Sequence, residues 1–154
     1  MEQHEQLLVS LRRIIRAIDI HSHQLLKNSG LTGPQLIVIK QISQLEAPLA
    51  KQVAQKINLS AATVTTIIDR LEKRELVIRQ RSAIDKRKVH LFLTEAGQQL
   101  LQTSPQPLQE HFIQRYQSLD KANQDRLLDS VEQIASMMDA EVLEALPILS
   151  TDKT

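Results

Sequence analysis

The amino-acid sequence predicts a mainly α-helical chain with one two-stranded β-hairpin, and three observations lead there. Apolar residues recur at three- and four-residue steps over most of the length. Between residues 77 and 93 the rhythm changes to alternation, the period of a strand. That alternating stretch follows directly on two short helical patterns separated by a tight turn.

Leu7, Leu8, Leu11, Ile14, Ile15, Ile18, Leu25 and Leu26 share one stripe, so an amphipathic helix is expected over about residues 4–28, closed by Asn28, Ser29 and Gly30. Thr32 and Gln35 form a capping-box pattern with Pro34 in the first turn. A second helix should therefore run to about Leu45, buried because Leu36, Ile37, Val38, Ile39 and Ile42 leave it little polar surface. Pro48 opens a short helix carrying Val53, Ala54 and Ile57, which Asn58 breaks. Ser60 caps the next, from Ala61 to about Arg74, with Val64, Ile67, Ile68 and Leu71 facing inward. Val77 and Ile78 pair with Val89, Leu91 and Leu93 across a tip at residues 83–88. Thr94 caps a fifth helix, which Ser104, Pro105 and Pro107 kink or interrupt. Asp120 caps a last helix whose stripe is Leu127, Val131, Ile134, Met138 and Val142, and residues 147–154 read as a frayed tail.

Composition removes several classes of function. The 154 residues are 42% hydrophobic and 24% charged, ordinary for a soluble globular protein. Two Phe, one Tyr and no Trp give an aliphatic core and argue against modules that stack bases on aromatic platforms. No Cys is present, which excludes disulfides, thiolate zinc sites, cysteine nucleophiles and thiol-based sensing by this chain. Three Gly, no Gly-x-Ser-x-Gly elbow and no paired His leave Ser60 and Thr63 without the partners a nucleophile needs; neither an enzyme nor a cofactor is expected. No secretory leader or membrane-spanning run is legible, so a cytoplasmic location is expected.

Charge is unevenly spread although the net value is only +1. Residues 48–94 hold ten Lys or Arg against four acids, and residues 120–154 hold three against eight. Helix, helix, turn, helix and hairpin inside a basic segment is the winged helix-turn-helix plan, in which the second helix of the pair enters the major groove of double-stranded DNA. The DNA-facing set is then Ser60, Ala61, Ala62, Thr63, Thr65, Thr66 and Arg70 on that helix. The hairpin adds Arg81, Lys86, Arg87 and Lys88, with Asp85 orienting a neighbouring guanidinium through a two-point pair. Residues 31–99 form the DNA-binding domain in this reading. Residues 1–30 and 100–146 supply dimerisation helices, since a first helix of such length is long for one small domain.

Leu59-Ser60-Ala61-Ala62-Thr63-Val64-Thr65, Asp69-Arg70-Leu71-Glu72-Lys73, Val77-Ile78-Arg79, Asp85-Lys86-Arg87 and Leu93-Thr94-Glu95-Ala96-Gly97 together resemble the MarR family of bacterial transcriptional regulators. The resemblance implies a dimer held by the first and last helices, a recognition helix from Ser60 in the major groove, and Arg87 entering the minor groove. Glu75 stands where the family commonly has Gly, and Lys86 replaces a frequent Arg. The stretches from Leu11 to Asp19 and from Leu31 to Gln35 are also similar to a branch that controls compatible-solute synthesis of the ectoine type.

The expected function is a repressor that binds a pseudopalindromic operator as a homodimer and responds to a small-molecule, osmotic or ionic signal. An effector would sit where the first helix, the second helix and the start of the fifth converge, near Ile18, His21, Ile37 and Pro105. Two alternatives share the fold: a winged-helix protein-interaction module, and a zinc-responsive regulator using His21, His23 and His111. The zinc reading is the weaker, because His21 and His23 are two apart and point in different directions on a helix.

Overall fold

Side-chain caps start most of the helices. In the computed structural model, which describes every residue except Pro107, Glu144, Pro147, Lys153 and Thr154, the chain runs α1 (Gln3–Ser29), α2 (Gly33–Gln44), α3 (Ala50–Ile57), α4 (Ala61–Lys73), β1 (Val77–Arg81), β2 (Val89–Leu93), α5 (Glu95–Thr103), α6 (Leu108–Gln117) and α7 (Lys121–Met137). The side chains of Thr32, Ser60, Thr94 and Asp120 accept N–H bonds from Gln35, Thr63, Gly97 and Asn123 at 3.3, 3.1, 3.0 and 2.8 Å. At Thr32 the box closes, with the Gln35 Oε1 accepting the Thr32 N–H at 3.1 Å.

Helices α2, α3 and α4 pack around Val38, Ile39, Val53, Val64, Ile68 and Leu71, all with essentially no exposed surface. The inward set expected for α4, Val64, Ile67, Ile68 and Leu71, is its buried set. Strands β1 and β2 pair antiparallel from Val77 opposite Leu93 to Arg81 opposite Val89, and Val77 and Leu91 turn into the same core. The Leu91 N–H donates to Pro48 O at 2.8 Å and the His90 Nδ1–H to Ala47 O at 2.6 Å, so the segment entering α3 is tied to the hairpin.

α4 ends in a Schellman motif: the Leu76 N–H donates to Leu71 O at 3.0 Å and the Glu75 N–H to Glu72 O at 2.9 Å. Glu75 adopts φ +58°, the left-handed conformation that a Gly adopts without a Cβ penalty. The chain then crosses the start of α5, where Thr94 Oγ1 donates to Glu75 O at 2.7 Å. A Cβ on Gly97 would lie 2.1 Å from Leu76 O, so the close approach of α5 to this corner requires glycine.

At the carboxyl end one expectation holds and two change. Ser104 is extended (φ −69°, ψ 141°), as the residue before a proline must be, and separates α5 from α6; Pro107 lies outside the described residues. α7 stops at Met137 and Val142 lies beyond it, because Asp139 turns left-handed (φ 53°) and the Ala140 N–H closes onto Ala135 O at 2.9 Å. Within the segment expected to fray, residues 148–152 instead dock onto α1 and α2. Ile148 is buried, the Asp152 carboxylate accepts the Gly33 N–H at 2.9 Å, and the Thr151 N–H donates to Ser22 Oγ at 3.1 Å. An apolar side chain followed by a carboxylate that fits a helix N-terminus explains the docking.

Candidate nucleic-acid interface

The front of α4 is small and open. Ser60, Ala61, Ala62, Thr65, Thr66 and Arg70 are exposed, while Thr63 is half-buried. Thr63 Oγ1 lies 2.8 Å from Ser60 Oγ, and Thr66 Oγ1 donates to Ala62 O at 3.1 Å, so both hydroxyls serve the helix itself. Thr65 is exposed and its Oγ1 makes no hydrogen bond among the described residues. Ala61 and Ala62 let another backbone approach closely, and their amides belong to a first turn that lacks intrahelical acceptors.

The wing tip is braced from within. Ser82 Oγ accepts the N–H groups of Ile84 and Asp85, each at 3.2 Å, and the Lys88 N–H donates to Asp85 O at 2.9 Å. Asp85 then holds Arg87 at two points, Nε to Oδ1 at 3.1 Å and Nη2 to Oδ2 at 3.3 Å, with the Arg87 N–H adding a third bond to Oδ1. The two-point pair expected for Asp85 is therefore present. Hydrogen bonds from the Arg87 side chain, and secondarily its backbone, hold the Asp85 carboxyl below the ordinary carboxylate range. A depressed value means the fork is intact at neutral pH and is lost only when acid carries the pH down through that lowered value. The Arg87 side chain stays 90% exposed, so the fork aims the guanidinium without burying it. Arg81, Lys86 and Lys88 are exposed around it.

Two cations counted in the basic segment are instead tied to other parts of the fold. Arg79 on β1 donates to Asp69 Oδ1 at 2.6 Å and to Glu72 Oε1 at 3.0 Å, pinning the wing to the outer edge of α4. Arg74, at the end of α4, donates to Gly30 O at 2.6 Å and Ser29 O at 3.3 Å, placing its charge on the carbonyl end of α1. Neither role is visible in sequence spacing, since the partners of Arg74 are more than forty positions away.

A separate crevice of about 260 Å³ opens between α2 and α6, with Ile37, Lys40, Glu110, Ile113 and Ile148 among its walls. Lys40 and Glu110 form an ion pair there. Ile37 lies in this crevice and Pro105 in an adjoining hollow of about 130 Å³. His21 lines neither: its Nε2 accepts the Leu108 N–H at 3.1 Å and so anchors the start of α6. Among the described residues no three His, Cys, Asp or Glu side chains gather as a metal would require, and no helix is long and apolar enough to cross a membrane.

A buried helix pair, an open-fronted third helix and a cationic ribbon define the class of winged helix-turn-helix DNA-binding proteins. The sequence model of the MarR family matches residues 31–89. The HTH-type transcriptional regulator MhqR of Bacillus subtilis is 30% identical over 100 residues, which span 65% of this chain and 69% of MhqR. The fold superposes on a MepR-like protein complexed with pseudoligands, at a TM-score of 0.60 and 24% identity over 90% of this chain and 97% of that one. It also superposes on Staphylococcus aureus MepR in a DNA complex, at a TM-score of 0.60 and 18% identity over 83% and 93% of the two chains. The chain belongs to the MarR family, and it is a DNA-binding transcription regulator rather than an enzyme.

Proposed function

We propose that the chain acts as a homodimeric repressor that places the front of α4 in the major groove and the wing tip along the adjacent backbone and minor groove of a pseudopalindromic operator. The observation that carries this reading is the Asp85–Arg87 fork. It holds an exposed guanidinium in one orientation at the tip of the wing, while the front of α4 presents Ala and Thr. Staphylococcus aureus MepR, of the same fold, has been captured on DNA, which supports the docking mode.

Dimerisation is supported by the arms. Leu7, Leu8, Ile14 and Ile15 of α1 and Leu127, Leu128 and Val131 of α7 are each 41–61% exposed, large apolar side chains of the kind an interface covers. A second copy would cover that surface and set the two recognition helices about one DNA turn apart, roughly 34–36 Å. The α2–α6 crevice is the place for an effector, because a molecule wedged between arm and lobe changes that separation. A MepR-like protein of this fold has been complexed with pseudoligands, and an osmotic or ionic signal could act on the same equilibrium.

Gel-shift titration of a duplex operator at several salt concentrations tests the reading. Affinity is expected to fall linearly with the logarithm of salt, at about 0.9 per phosphate neutralised. Salt-independent association, or none with any duplex, would instead favour the protein-interaction alternative.

A further inference from the structure

Ile84 sits at the wing tip with its side chain wholly exposed, at 100%. Apart from Ile78 on β1, the other large exposed apolar residues are concentrated on α1, α6, α7 and the segments flanking them, where a second subunit would cover many of them. Ile84 instead stands on a ribbon tip beside Arg81, Lys86, Arg87 and Lys88. Nothing in the fold uses it, yet its backbone is fixed. Its N–H donates to Ser82 Oγ, the next residue anchors Arg87, and the Ser82 N–H closes the loop on Lys88 O at 2.9 Å. A β-branched side chain on such a backbone has few rotamers to give up when it meets a surface.

We propose that Ile84 is an apolar wedge that enters the minor groove of duplex DNA beside Arg87 and packs against sugar edges and a base step there. This rests on the reading of the chain as a DNA-binding regulator. Arg81, Lys86, Arg87 and Lys88 lie within four positions of the isoleucine on the same ribbon tip and outnumber the single acid, Asp85, so the surface that fits it is anionic and also offers apolar depth. A minor groove supplies both, through phosphates along its rims and sugar and base surfaces on its walls and floor. The division of labour follows. Arg87 is drawn to the negative potential of a narrow groove, and Ile84 favours a neighbouring step that unstacks readily, a pyrimidine–purine step such as TA. Sequence preference would thereby arise at positions the recognition helix does not touch.

The test begins with the tightest duplex that the wild-type protein selects from a random-core duplex pool. Wild type, Ile84→Ala, Ile84→Val and Lys86→Ala are titrated against it at several salt concentrations. They are then titrated against a set in which each base step under the wing is changed to a stiffer one. Ile84→Ala is expected to weaken binding about tenfold, because the truncated side chain buries little apolar surface in the groove. Its salt slope should match wild type and its discrimination among the wing steps should be flattened. Ile84→Val should keep most of the affinity, and Lys86→Ala should lower the salt slope by about 0.9. Unchanged affinity in Ile84→Ala overturns the proposal. So does a weakening that is equal for every wing step, or a changed oligomeric mass with DNA binding intact, which would make Ile84 a protein contact. If wild type selects no duplex at all, the regulator reading itself fails, an outcome distinct from any result with the variant.

Discussion

Ile39, Val53, Val64 and Leu71 in the lobe formed by α2, α3 and α4 have no exposed surface, whereas Ile15 on α1 and Val131 on α7 are 60% and 61% exposed. The lobe satisfies its own hydrophobic faces. The arms carry equally apolar stripes and leave them open, although each such side chain is worth about 1.5–3 kcal/mol when fully buried. One chain thus contains a lobe that buries its own apolar faces and arms that leave theirs exposed. Arg74 on the carbonyls of Ser29 and Gly30, the Leu25 side chain of α1 buried in the lobe core, and the docked residues 148–152 with the buried Ile148 join the two.

The largest effect should come from the arms. Ile15→Glu combined with Val131→Glu places charge on the open stripe without touching the lobe core. It is expected to give monomers by sedimentation, a normal helical spectrum, and a loss of operator affinity of about 10²–10⁴-fold as two linked contacts become one. Persistent dimers would mean that the stripe has another purpose. An effect on the lobe alone is expected from Gly97→Ala, whose new methyl would collide with Leu76 O. It should lower stability to denaturant by about 3 kcal/mol, and a neutral result would show that α5 is not held against the end of α4.

How far the sequence carries this contrast differs by feature. The caps at Thr32, Ser60, Thr94 and Asp120 are legible because Ser, Thr and Asp are the residues whose short oxygen reaches the N–H three positions on. The inner face of α4 and the register of the hairpin follow from periodicity, and the Asp85–Arg87 pair from two residues of opposite charge at a ribbon tip. The end of α4 falls at Arg74 as expected, whereas the end of α7 is harder, since Asp139 occupies a left-handed position that signals a helix end only when filled by Gly or Asn. Arg74 and Arg79 count toward the basic segment in sequence, because a basic side chain shows no sign of its acceptor until the chain has folded. Residues 148–152 read as frayed for the same reason. The groove that takes Ile148 is assembled from distant helices, and the Gly33 N–H that meets Asp152 lies 119 positions earlier.

The proposed role of the oriented guanidinium at the wing tip is to contact DNA from an exposed position that matters little to the fold, and Arg87→Ala tests it most directly. With the side chain 90% exposed, melting temperature and dimer mass should match wild type. Operator affinity in a gel-shift titration at fixed salt should fall by about 1–3 kcal/mol, the value of a groove contact. Unchanged affinity at an unchanged melting temperature would contradict the account.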